Sequence, residues 1–144
     1  MPINGISVGK DITIQIANTA VGSITINRVK MHSPKQKNKK LETIALDGLN
    51  RHLNIPIGWE GSFEMERTSP AIDSYFANLE LGYYNGQTIP LSTITETITE
   101  ANGLVTQFQY QGCQLALEGA GDWKGDELIT QKIDFVATAR IQLA

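Results

Sequence analysis

Three carboxylates on one strand are the residues of this chain best spaced for chemistry. Over residues 57–66, Ile57, Trp59, Phe63 and Met65 fall on one face, with Gly61 between them. Glu60, Ser62, Glu64 and Glu66 fall on the other. That period-2 alternation means a strand with one buried and one wet side. Side chains two apart on a strand stand about 7 Å from each other, a distance at which paired carboxylates can act as acid and base. No neighbouring segment suggests a pocket that would shift their pKa values, so a solvated strand face is the simpler reading and no enzyme is expected.

Other chemistry is weaker still. His32 and His52 lie 20 residues apart with no Cys or carboxylate at ligand spacing, and residues 122–127 lack the alternating acids of a calcium loop. No metal or cofactor is expected. Gly119-Ala-Gly121 does not open a helix and is followed by no Lys-Ser/Thr pair, so it reads as a loop rather than a phosphate cradle. No nucleophile-elbow motif is present. Cys113, the only cysteine, excludes an internal disulfide and reads as a small core residue. Trp59, Trp123, Tyr83 and Tyr84 could act as stacking platforms, which makes a β-sandwich module recognising carbohydrate or a host surface the alternative function.

The elements that must position these residues are mostly strands. Residues 11–17 and 23–31 alternate, and Leu41 to Leu46 suggests a short strand. Residues 91–100 and 104–111 flank Asn102-Gly103, the strongest short hairpin signal. Gly112 shifts the apolar parity from Phe108 and Tyr110 to Cys113, Leu115 and Leu117, which predicts a bulge. The last strand carries Ile129, Ile133, Phe135, Ala137, Ala139, Ile141 and Leu143 on one face, with Lys132 and Asp134 on the other. One helix is predicted over 69–81. Ser69 is its N-cap, Pro70 its first residue, Ile72, Tyr75, Phe76 and Leu79 its apolar stripe, and Gly82 its stop. It is expected to cover an open flank of the sheet. The chain of 144 residues therefore reads as a single domain, 1–144, mainly β, a β-sandwich or barrel with one helix.

Charge is unevenly spread. Arg28, Lys30, Lys35, Lys37, Lys39 and Lys40 are half of the 12 basic residues and share 13 positions with no acid, so the remaining 131 residues carry a net −9. Four lysines in six residues can neutralise phosphates, but no aromatic is interleaved to stack on bases, and the acidic body would repel a polyanion. The basic stretch 30–40 reads as a loop or exposed hairpin tip. Together residues 28–56 form a long excursion with little core of its own, and such excursions are usually functional or become ordered against a partner. A basic segment on an acidic body can also draw copies together. Nothing approaches the length of apolar run that spans a bilayer, and no signal peptide opens the sequence, so use without Sec export and without stable membrane association is expected.

The order of parts resembles the tail tube proteins of bacteriophages, especially the inner tube subunits of contractile tails, a fold group shared with the type VI secretion tube protein. Two N-terminal strands lead to a long polar excursion, then to Gly-Trp-Glu-Gly-Ser-Phe-Glu at 58–64, a helix containing Asp-Ser-Tyr-Phe-Ala at 73–77, a hairpin and a long last strand. The resemblance implies two packed antiparallel sheets flanked by one helix. It further implies hexameric rings stacked into a tube that conducts the genome into the host cell, within a virion tail made in the host cytoplasm. Sheath, baseplate and terminator proteins would be partners, and double-stranded DNA would pass the lumen without specific binding. Residues 28–56 would be the inter-subunit loop or hairpin, with Arg28, Lys30, Lys35, Lys37, Lys39 and Lys40 meeting the next ring. Glu60, Ser62, Glu64, Glu66, Lys132 and Asp134 would face the lumen.

Overall fold

The computed structural model describes residues 12–18, 22–26, 28–68 and 70–143. Eight strands and one helix follow in the order β1 (Ile12–Asn18), β2 (Gly22–Ile26), β3 (Val29–Ile44), β4 (Asn50–Glu66), α1 (Ala71–Tyr84), β5 (Ser92–Thr99), β6 (Val105–Gly119), β7 (Thr130–Ala137) and β8 (Ala139–Gln142). All pairs are antiparallel, and they form one unclosed sheet in the order β2-β1-β5-β6-β7-β4-β3, with β8 beside β6. The mainly β, single-helix expectation holds. The strands make one continuous sheet, however, where two separate packed sheets were expected.

Continuity runs through β6. Pairs from Phe108↔Gln142 to Leu117↔Ile133 keep one register, so β7 and β8 are a single strand interrupted at Thr138. At the interruption Gly112 has φ 65°, and a Cβ there would lie 2.6 Å from Thr138 Oγ1, which explains the glycine. The β5–β6 register slips between Ser92 and Ile94, the bulge that the parity change predicts. On either side of this bend lie a β1-β2-β5 leaf and a β3-β4-β7 leaf. They share one core: Ile14, Ile16 and Ile94 from the first, Phe63, Met65, Ile133 and Phe135 from the second, and Tyr110 and Cys113 from β6.

The helix lays Ile72, Tyr75, Phe76 and Leu79 against that core, as its stripe predicts. The Tyr75 hydroxyl meets Ser92 Oγ at 2.6 Å, and Asp73 accepts from Arg67 Nε at 2.9 Å and Gln131 Nε2 at 2.7 Å. Both ends of α1 differ from expectation. Ser69 lies outside the described residues, and Pro70 precedes the first helical residue. The helix runs through Gly82 and stops only at Asn85-Gly86. There Gly86 (φ 82°) donates to the Tyr83 carbonyl and Gln87 to that of Gly82, the paired bonds of a Schellman motif.

Residues 28–56 form the extended hairpin that was one of the two expectations, with different strand bounds. Residues 23–31 do not form one strand: Arg28 adopts φ 56° between β2 and β3. Of the two forms expected of the basic stretch, loop or exposed hairpin, the structure has the hairpin. The stretch belongs to β3, which with β4 makes a hairpin of 16- and 17-residue strands closed by Asp47-Gly48, where Gly48 donates to the Ala45 carbonyl. Only the root of this hairpin is flanked, because β4 pairs with β7 from Trp59 to Glu66 and no further. Beyond that, residues 37–57 project as a two-stranded arm, every one of them exposed. The register slips between Lys37 and Asn38, which leaves Ile57 as the extra residue of a bulge on the arm rather than on the buried face.

Candidate functional site

Two surfaces gather the residues that the sequence marks out. The first is the outer face of the β3-β4-β7-β6 leaf. Cross-strand pairs share a face, so Lys35↔Glu60↔Val136↔Gln114 form one row and Ser33↔Ser62↔Asp134↔Ala116 the next. Met31↔Glu64↔Lys132 form a third, where Lys132 Nζ reaches Glu118 Oε2 at 3.4 Å. Five of the six residues expected in the lumen thus come together. Glu66 shares their strand face but is ion-paired at 2.6 Å with Arg28, one of the residues expected between rings. Lys30, another of these, donates to Thr130 Oγ1 at 3.2 Å at the hairpin root.

This face carries both signs of charge. Glu118, missed by the sequence reading, lies beside Asp134, and the Asp134–Glu118 hydrogen bond and Lys132 hold the Glu118 carboxyl below the ordinary carboxylate range. Asp134 is pushed the other way, by desolvation first and then by the Glu118 carboxylate. Between the first two rows runs a shallow groove of about 370 Å³ floored by Ser33, Ser62 and Gly61. By contrast, among the described residues the outer face of the β1-β5 leaf and the first half of β6 presents Thr13, Gln15, Thr95, Thr97, Gln107 and Gln109 and no charge.

The second surface is the arm. Lys39↔Ile55, Leu41↔Leu53 and Thr43↔Arg51 fall on one side; Asn38↔Pro56, Lys40↔Asn54, Glu42↔His52 and Ile44↔Asn50 fall on the other. The lysines stand out in the sequence, and the apolar stripe between them does not. Seven large apolar side chains stand exposed here: Leu41, Ile44, Leu46, Leu49, Leu53, Ile55 and Ile57. Their signal was the alternation Leu53-Asn-Ile55-Pro-Ile57, which continues the pattern of a strand with no core beneath it.

The remaining candidates separate. His32 is buried in the core while His52 sits on the arm beside Glu42, 3.3 Å away. Among the described residues no cluster of three or more His, Cys, Asp or Glu side chains could hold a metal. Cys113 is buried, its thiol pushed up to about 11 by burial. Each tryptophan already carries an arginine: Arg140 lies 4.5 Å from the Trp59 ring and Arg67 5.2 Å from that of Trp123. Tyr83 and Tyr84 are exposed and pack on one another. No helix among the described residues is long and apolar enough to cross a membrane.

No protein-family model matches the chain, and no curated protein matches it in sequence. Solved structures do. The anti-feeding prophage cap, a tube-terminating cap, superposes with a TM-score of 0.68 at 10% identity, over 100% of this chain and 95% of that one. A chain of the PVC extracellular contractile injection system, in its extended sheath–tube complex, gives 0.66 at 12% identity over 99% and 94%. A chain of the tail of an empty GTA particle, solved with C6 symmetry, gives 0.56 at 11% identity over 96% and 99%. Over its whole length, this chain has the fold of tail and tube components of contractile injection systems and phage-like particles.

Proposed function

We propose that the protein is a structural, non-enzymatic subunit of a phage tail tube, with six copies forming a ring and rings stacking into a conduit for the genome. The arm carries this reading. A hairpin of two strands is marginal on its own in water, and each large apolar side chain left exposed on it forgoes about 1.5–3 kcal/mol of burial. Such a projection makes sense when a second copy covers it. The acidic body is the complementary surface for Lys37, Lys39 and Lys40, whereas Lys35 sits on the charged leaf beside Glu60 and Arg28 and Lys30 are engaged within their own chain.

The charged leaf then faces the lumen. Glu60, Glu64 and Asp134 repel phosphate, Lys132 is held by Glu118 and Lys35 stands in register with Glu60, so DNA meets few of the free cations that binding requires. Sheath, baseplate and terminator proteins are the other partners, in a virion tail assembled in the host cytoplasm. Electron microscopy and light scattering of the purified protein test this directly. Rings or long tubes are expected. Single rings that never lengthen would indicate a terminator, and a protein that stays monomeric at high concentration would refute assembly altogether.

A further inference from the structure

The place where the arm leaves the body is built differently from either. β4 has its last body partner at Trp59↔Ala137, and the next residue outward, Gly58, has φ 145°. A Cβ at Gly58 would stand 2.7 Å from the Ala137 carbonyl oxygen, so the chain turns out of the sheet against the backbone of β7. Immediately behind, the Arg140 guanidinium lies 4.5 Å from the Trp59 ring centroid, 3.6 Å from that of Phe108 and 5.6 Å from that of Tyr110. Arg140 comes from β8, Phe108 and Tyr110 from β6, and Trp59 from the arm's own strand. The other strand of the hairpin contributes His32. Its Nε2 lies 3.2 Å from Glu96 Oε2, with both side chains only 5% exposed. The Tyr110 hydroxyl donates to the same oxygen at 2.7 Å, and the His32 ring stacks on Phe135 at 6.2 Å.

His32 and Glu96 stand on β3 and β5, which are far apart in the sheet order. Their contact is therefore a tie between the two leaves, made at the root of the arm. Most of this fold is held by non-directional apolar burial, which tolerates small rotations. A carboxylate receiving two directed bonds and a cation held over three rings do not.

We propose that His32, Glu96, Tyr110, Arg140 and Trp59 form a clamp that fixes the direction in which the arm leaves the body before any partner binds. The arm is then presented as a rigid lever, and docking does not have to order it, which removes part of the entropic cost of association. The benefit to assembly rests on the tube reading above; the clamp itself does not.

Spin labels at Leu46→Cys, on the arm tip, and at Asn78→Cys, on the exposed side of α1, read the arm's direction as a distance distribution. The measurement is made on the full chain, dilute enough to be unassembled. A narrow distribution is expected with the native clamp, and one at least twice as wide in Glu96→Gln and in Arg140→Gln, with core circular dichroism retained. Arg140→Lys keeps the charge and loses the planar stack. It provides a milder variant, with an intermediate width, should either of the others fail to fold. A distribution already wide with the clamp intact, or unchanged in the folded variants, overturns the proposal. A protein that shows the predicted widths yet never assembles would leave the clamp standing and remove the tube.

Discussion

The root and the arm of the β3–β4 hairpin are the same two strands with the same antiparallel pairing, yet they behave as different objects. At the root, Phe63 and Met65 are buried, and the opposite face carries Glu60, Ser62 and Glu64. In the arm, Leu53 and Ile55 alternate just as regularly and are exposed. Propensity does not separate the two. The neighbour does: β7 flanks β4 as far as Trp59, and beyond it β4 pairs with β3 alone. Alternation states which side of a strand seeks cover, and only the tertiary or quaternary context states whether this chain provides it.

The comparison predicts its largest contrast in stability. Phe63→Ala removes a fully buried ring that packs on Phe135 with centroids 6.1 Å apart, and should cost about 3–5 kcal/mol in urea denaturation. Leu53→Ala deletes nearly as much apolar surface from the arm and should cost less than about 0.5 kcal/mol in the unassembled protein. Similar costs at the two sites would mean that the arm folds back on its own body in solution, and the contrast would fail.

Two glycines sharpen the same contrast at smaller scale. Gly58 and Gly48 both have positive φ, 145° and 78°, but a Cβ at Gly58 meets a backbone oxygen and one at Gly48 meets nothing within 4 Å. Gly58→Ala therefore combines strain with a clash and should cost about 2–3 kcal/mol. Gly48→Ala carries the conformational strain alone, about 1 kcal/mol. Thermal midpoints of the two variants order them, and a reversed order would place the structural hinge at the tip.

The root also has a buried titrating group, whereas on the arm Asp47 is exposed and held below its ordinary value by Arg51. Burial alone would raise the Glu96 carboxyl. Hydrogen bonds from His32 and Tyr110 and the charges of His32 and Arg140 overcome this and hold it below the ordinary carboxylate range. A carboxylate with a depressed folded pKa stabilises above its unfolded value, about pH 4.3, and loses that contribution as pH falls through the folded value. Glu96→Gln should therefore be less stable than the native protein at pH 7, by about 1–2 kcal/mol, and the gap should narrow as pH falls below the unfolded value. A gap that stays constant down to pH 3 would remove the role of the charge.

What could be read from the sequence followed from local rules. The helix stripe, the Asn102-Gly103 turn with Gly103 at φ 84° and the Gly112 bulge each depend on a few adjacent residues. The errors lie where distant residues decide. Lys30 to Lys40 has almost no apolar alternation, so its strand is imposed by pairing with β4. Gly82 looks like a helix stop, but the chain continues because Asn85-Gly86 supplies a better cap. The His32–Glu96 tie joins positions 64 apart in the chain; Glu96 falls in step with Ile94 and Ile98 on the buried phase of its strand, but nothing in the sequence names His32 as its partner. The outward-facing row of Glu60, Ser62, Glu64, Lys132 and Asp134 was readable because period-2 alternation survives at the root. Ile57 was misplaced because the bulge at the root–arm boundary breaks that period.

The smallest effect on the isolated subunit is also the one that tests the arm most finely. Lys39 and Lys40 are adjacent, equally charged and both exposed, so composition treats them as equivalent. Pairing does not: Lys39 shares its side of the ribbon with Leu41, Leu53 and Ile55, and Lys40 lies on the opposite side with Asn54 and Glu42. If the apolar stripe is what a second copy covers, Lys39→Glu places an anion at the rim of that contact while Lys40→Glu changes a solvated side. Each should leave urea midpoints within about 0.5 kcal/mol of the native protein. In light scattering, Lys39→Glu should slow assembly at least tenfold and Lys40→Glu only a fewfold, and added salt should shrink both effects. Equal effects would mean that the arm works through net charge and not through one face, and the apolar stripe would need another purpose.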